Sequence, residues 1–126
     1  MIIESLDHLV LTVKSISETC SFYRSVLGMD VVEFGEGRKA LTFGSQKINL
    51  HQHKQEFEPK AALPTPGSAD LCFITKTEIQ KVIEHLTNLK IDICEGPVKR
   101  TGAVGTILSV YIRDPDQNLI EISNYL

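Results

Sequence analysis

The order of elements written into this chain occurs twice, and that repeat limits its folds more than any other feature. Leu6 to Val13 (LDHLVLTV) is short and rich in branched apolar residues, as strands are. Ser15 and Glu18 then form the S-x-x-E capping box of a helix. Ile16, Thr19, Cys20, Tyr23, Val26 and Leu27 share one apolar face of that helix, which stops at Gly28. Met29 to Phe34, Arg38 to Phe43 and Gln46 to Gln52 read as strands, parted by the turn-prone Gly35-Glu36-Gly37 and Gly44-Ser45.

From His53 to Gly67 the pattern gives way to charged residues and Pro59, Pro64 and Pro66, the composition of an extended linker. The sequence then starts again with a strand from Ala69 to Thr75. Thr77 is placed to cap a helix whose apolar face is Ile79, Val82, Ile83, Leu86 and Leu89. Strands follow over Ile91 to Pro97, Thr106 to Arg113 and Leu119 to Asn124, with a turn from Asp114 to Asn118 before the last. The expectation is an α+β fold: one domain, 1–126, made of two βαβββ modules in tandem, 1–58 and 67–126, joined by the linker 53–67 and closing around a cleft.

Composition closes off other classes. Thirteen Lys and Arg against sixteen Asp and Glu give a net charge of −3 with no basic block, which excludes a nucleic-acid footprint or an anionic-membrane surface. No apolar stretch approaches the roughly 20 residues of a membrane span, and MIIESLDHL lacks the features of a signal peptide, so a cytoplasmic protein is expected. Cys20, Cys72 and Cys94 share no CxxC spacing and sit among apolar neighbours, which predicts three reduced core thiols.

Strand side chains alternate between two faces, and four strands sort in the same way. Leu9, Leu11 and Val13 oppose His8, Val10 and Thr12, and Ile48 and Leu50 oppose Lys47, Asn49 and His51. Leu71 and Phe73 oppose Asp70 and Cys72, and Ile120 and Ile122 oppose Glu121 and Ser123. One polar residue on an outer strand face ordinarily just meets water. Here His8 and Asp70 hold equivalent places in the two repeats, as do Asn49 and Glu121, so the sequence predicts that His8, Asn49, His51, Asp70 and Glu121 share the cleft. Ser109, Tyr111 and Arg113 share a face of another strand, and Arg100 lies in Lys99-Arg100-Thr101-Gly102-Ala103, which has the composition of a mobile lid able to hold a substrate anion. His53 and His85 are assigned to the surface.

LDHLVLTV, F-Y-x-x-V-L-G-M at Phe22 to Met29 and D-P-D-x-N-x-I-E at Asp114 to Glu121, in that order, resemble the glyoxalase / bleomycin-resistance / extradiol-dioxygenase group, the vicinal oxygen chelate superfamily. RKALTFGSQKINLHQ, EFEPKAA, PGSADLCFIT and EGPVKRTGA are similar to a branch of glyoxalase domain-containing proteins that includes bacterial virulence proteins. The resemblance implies the paired βαβββ fold with one divalent metal ion (Zn, Ni, Mn or Fe) in the cleft, and a homodimer. His8 matches the family's first ligand and Glu121 its closing one, while Asp70 stands where His is usual and Asn49 where glyoxalase I has Glu.

Asn49 cannot act as a general base, so proton movement falls to Glu121 and His51, with Asp70 available as a stand-in. The expected metal ligands are His8, Asp70 and Glu121; the expected substrate contacts are Asn49, His51, Ser109, Tyr111 and Arg100. One imidazole with two carboxylates departs from the two-His, one-carboxylate iron site of an extradiol dioxygenase. The function expected is therefore a metal-dependent lyase or isomerase that chelates a small substrate through neighbouring oxygens. The alternatives are a metal-free binding or drug-sequestering protein of the same fold, or a dioxygenase of extradiol type.

Overall fold

The computed structural model describes all residues from 1 to 126, which form two units, 1–66 and 67–126. Unit 1 runs β1 (His8–Val13), α1 (Ile16–Leu27), β2 (Asp30–Phe34), β3 (Arg38–Phe43) and β4 (Gln46–Gln52). Unit 2 runs β5 (Asp70–Ile74), α2 (Ile79–Asn88), β6 (Glu95–Thr101), β7 (Thr106–Arg113) and β8 (Leu119–Tyr125). The sheets are ordered β1-β4-β3-β2 and β5-β8-β7-β6, each with its first pair parallel and the rest antiparallel. This is the α+β class and the doubled βαβββ order expected from the sequence. A parallel pair needs a long crossover, and in each unit the helix and two strands supply it.

Helix α1 forms where its signals stand. Ser15 Oγ accepts the Glu18 N–H at 3.2 Å, and Gly28, at φ 67°, closes the other end by donating its N–H to Arg24 O at 3.1 Å. The face made by Thr19, Cys20, Tyr23 and Val26 is buried in a core with Leu11, Val13, Leu41, Ile48 and Leu50. Each large apolar side chain so buried contributes roughly 1.5–3 kcal/mol. In unit 2, Ile79, Val82 and Leu86 of α2 are buried together with Val110, Ile112, Ile120 and Ile122 of the sheet.

Several local expectations are corrected. Helix α2 is not capped by Thr77: its N-cap is Glu78, whose side chain makes no capping bond, and the Thr77 N–H donates instead to Thr75 Oγ1 at 3.1 Å. The strand expected over Ile91 to Pro97 runs from Glu95 to Thr101, so Arg100 sits on β6 and not in a loop. The ladder tolerates Gly96-Pro97 because its register shifts between Glu95 and Val98, where a bulge removes the need for a proline N–H. Gly96 has φ 107°, and a Cβ there would stand 2.4 Å from Ser109 O, so only glycine fits.

Of the three cysteines only Cys20 is buried; Cys72 and Cys94 are exposed, and all three are free thiols. Cys72 has apolar neighbours along the chain, but strand alternation turns it to the face opposite Leu71 and Phe73.

The segment after β4 belongs to unit 1. The His53 N–H donates to Val13 O at 2.9 Å, and His53, expected in solvent, is half-buried with an unpartnered buried Nδ1. In unit 2 the Asp114–Asn118 turn is a structural clamp. Asp114 Oδ1 accepts the N–H groups of Asp116 and Asn118 at 2.9 and 3.0 Å, and Asn118 Oδ1 accepts the Ala69 N–H at 2.8 Å, which ties the turn to the start of β5. No helix is long and apolar enough to cross a membrane.

Candidate functional site

Register places the predicted residues on one polar face in each unit. In unit 1, Val10 pairs with Asn49 and Thr12 with His51 across the parallel β1/β4 ladder, and Asn49 pairs with Ala40 on β3, so His8, Val10, Thr12, Asn49 and His51 share that face. His8 is exposed, and its Nδ1 lies 2.7 Å from Asp7 Oδ2. In the tautomer that carries its proton on Nδ1, this contact is a donation to Asp7 and Nε2 is left as the lone-pair nitrogen, the arrangement that orients a metal-ligating imidazole. Asn49 is buried and its Oδ1 has no hydrogen-bond partner.

His51 is 4% exposed. Burial, then the charge of Arg38, holds its pKa below the ordinary histidine value of 6.5, with Lys60 adding to the effect and Glu56 and Glu58 opposing it. The imidazole is therefore neutral at neutral pH. Its ring packs edge-on against Phe57 with centroids 5.8 Å apart, and the Arg38 guanidinium lies over both Phe57, at 4.8 Å, and Phe34, at 5.0 Å. His51 faces a cavity of about 380 Å³ lined by Val10, Thr12, Pro59, Lys60 and Ala61. The sequence analysis missed Arg38, Phe57 and the part of the post-β4 segment that walls this cavity. Thr12 was legible there as a face-mate of His8, whereas Lys60 carried no periodic signal.

In unit 2, Glu121 pairs with Cys72 on β5 and with Tyr111 on β7, and Ser123 pairs with Ser109, so Asp70, Cys72, Glu121, Ser109 and Tyr111 share a face. Arg100 Nε donates to Tyr111 Oη at 3.1 Å and Arg100 Nη2 donates to Glu95 Oε1 at 3.2 Å, which fixes the guanidinium over this face. Burial raises the Tyr111 pKa, the hydrogen bond from Arg100 opposes it, and a hydrogen bond toward the Glu121 carboxylate, with that group's charge, adds to it, so the hydroxyl is a donor at neutral pH and Glu121 is one acceptor it faces. Ser109 and Ser123, both fully buried, bond each other at 2.7 Å. Cys72 Sγ lies 3.4 Å from Ser123 Oγ, and desolvation raises its pKa, so it remains a thiol and not an activated nucleophile.

Glu121 Oε1 is buried and has no hydrogen-bond partner. A carboxylate oxygen removed from water without a donor costs several kcal/mol unless a cation, a proton or a ligand donor meets it. Glu121 and Asp70 on the unit 2 face, and the exposed His8 imidazole on the unit 1 face, are each of a donor type that divalent cations take. No three His, Cys, Asp or Glu side chains are grouped to hold a metal ion.

Residues 5–122 match the family described as Glyoxalase/Bleomycin resistance protein/Dioxygenase superfamily. The chain is 64% identical over 126 residues to "Virulence protein STM3117" of Salmonella typhimurium, covering 100% of this chain and 88% of that one. The crystal structure of that relative superposes with a TM-score of 0.99 at 63% identity, over 100% of both chains. "Glyoxalase domain-containing protein RDO1" of Mycosarcoma maydis is 61% identical over 98% of this chain and 69% of its own. "Metallothiol transferase FosB" of Staphylococcus epidermidis is 26% identical over 97% of this chain and 82% of its own.

Proposed function

Because the chain belongs to the glyoxalase/bleomycin resistance protein/dioxygenase superfamily, we propose that it is a metal-dependent lyase or isomerase that moves a proton on a small substrate with two neighbouring oxygens. The observation that carries this reading is the buried, unpartnered Oε1 of Glu121. The proposed ligands of the cation are His8, Asp70 and Glu121. The name of the more distant relative, "Metallothiol transferase FosB", supports a metal in the wider superfamily. A bound divalent cation would stabilise an enediolate-like oxyanion.

The protein's own groups would do the rest. Glu121 accepts or returns a proton at Oε1, which no protein donor occupies. Tyr111, kept protonated by burial and by the neighbouring Glu121 and held by Arg100, would turn its hydroxyl from Glu121 to a substrate oxygen, and Ser109 and Ser123 leave that face polar without adding charge. Asn49 and His51 are the proposed substrate contacts of unit 1. The active form is proposed to be a homodimer.

The test is metal analysis and thermal shift on protein stripped of metal and titrated with Mn, Ni, Zn or Co. A cation at about a hundred times its Kd stabilises the folded state by roughly 2.7 kcal/mol, several degrees in Tm for a chain of this size. Glu121→Gln should abolish that shift and His8→Ala should weaken it. Less than about a tenth of an equivalent of metal in wild type, with no shift, overturns the reading. A second reading, metal-free binding of a small molecule, has its own support in the cavity beside His51. It predicts ligand stabilisation that chelators leave untouched.

A further inference from the structure

The cavity in unit 1 has a composition that selects among ligands by charge. Its walls are aliphatic at Val10, Pro59 and Ala61, and its polar groups are Thr12, His51 and Lys60. Four ionisable groups act on the imidazole: Arg38 and Lys60 from one sign, Glu56 and Glu58 from the other. Lys60 is the charged residue in the cavity wall, and its Nζ lies 3.7 Å from Glu56 Oε1 and 3.6 Å from Glu58 Oε1, so its charge is already met. Arg38 lies over Phe34 and Phe57, makes no ion pair and has a buried, unpartnered Nε, but it stands outside the cavity wall. A bound anion would meet Glu56 and Glu58 around the one cation in the lining, and a bound cation would meet Lys60. His51 is 4% exposed and faces the cavity, and no hydrogen bond within the protein reaches its ring, so its donor and acceptor are available to whatever occupies the cavity.

We infer that this cavity is a recognition pocket for an uncharged hydroxyl- or carbonyl-bearing end of the substrate on a short aliphatic arm, read by the His51 imidazole and the Thr12 hydroxyl. The inference deepens the proposed function, since it rests on His51 as a substrate contact, and it gives that substrate a class: small, neutral and oxygenated, not a carboxylate, a phosphate or an amine. A cavity of about 380 Å³ lies near the lower end of ligand pockets, roughly 300–1,000 Å³, which limits the arm to a few carbons.

The experiment uses the full chain in EDTA, so that it is read independently of any cation at Glu121. Hydroxyacetone, pyruvate and 1-amino-2-propanol, which are close in size and differ in charge, are titrated against protein labelled for NMR at the histidine rings and the methyl groups. Hydroxyacetone should shift the His51 ring and the Val10 and Ala61 methyl signals saturably, with an affinity at least about tenfold above those of pyruvate and the amine. His51→Phe keeps an aromatic ring against Phe57 and should lose most of that preference; Thr12→Val, which changes one polar atom, should weaken hydroxyacetone binding several-fold. Glu58→Gln removes one balancing charge at an exposed side chain and should let pyruvate gain on hydroxyacetone. Equal affinity for the three probes, no saturable shift with any of them, or unchanged hydroxyacetone binding in both His51→Phe and Thr12→Val overturns the inference. Because metal is absent throughout, failure of metal binding at Glu121 leaves this result standing, and the reverse holds too.

Discussion

At the scale of single residues, chemistry resides in side chains whose capacity is unspent. Glu121 and Asn49 each carry a buried oxygen without a partner, whereas Asp114 and Asn118, also buried, are engaged in the turn they build. This separates the family-like motif D-P-D-x-N-x-I-E into two parts: its first half is a clamp and its last residue is the candidate acid or ligand. His51 also gives the protein a pH dependence whose sign is fixed. Its folded pKa is lowered by burial and by Arg38, so as pH falls below about 6.5 the unfolded chain takes up the proton first and stability falls until the folded pKa is passed; above that window His51 contributes nothing. Urea denaturation between pH 5 and 8 should therefore show a steeper acid-side loss in wild type than in His51→Phe. Parallel slopes would show that the imidazole is not desolvated.

At the scale of elements, the two helices began with the same expectation and ended differently. Ser15 caps α1, but α2 starts at Glu78, which has extended φ and ψ and no side-chain bond to the first turn. Glutamate is one methylene too long for that bond, so Glu78→Asp should stabilise the protein by about 1 kcal/mol in urea melts, while the same exchange at an exposed mid-helix position such as Glu84 should not. No gain at Glu78 would mean that the first turn is satisfied in another way. The comparison also shows what was legible in the sequence. Periodicity located both helices and most strands because burial on one face is written into residue spacing, and β4 and β8 were bounded to within a residue or two. Strand β6 was misplaced because Ile91-Asp92-Ile93 alternates like a strand while Gly96-Pro97 looks like a break; the bulge that admits the proline depends on pairing with β7, which no local pattern records. The site divides in the same way. The face shared by His8, Asn49 and His51 follows from alternation along single strands, but the cavity walls at Pro59, Lys60 and Ala61 come from a segment whose path is set by tertiary contact.

At the scale of the whole molecule, a repeated sheet also repeats its edges. β1 hydrogen-bonds only to β4 and β5 only to β8, so each sheet ends in a strand with one unpaired side. Neither strand contains a proline, a lysine or a bulge, the usual means of blunting an edge, and Val10 and Ile74 on them are 44% and 52% exposed. Ile3 and Leu6, just before β1, are exposed as well. Apolar edge strands of this kind are stable in solution when another copy covers them, which supports the proposed homodimer and predicts its mass in light scattering at micromolar concentration. Placing charge beside the β1 edge and away from the cavity wall, as Ile3→Lys with Leu6→Lys, should convert the dimer to a monomer by at least about a tenfold weaker association with no change in secondary structure by circular dichroism. If wild type is monomeric at about 100 times that working concentration, or if the double variant associates as tightly as wild type, the β1 edge is not where the copies meet.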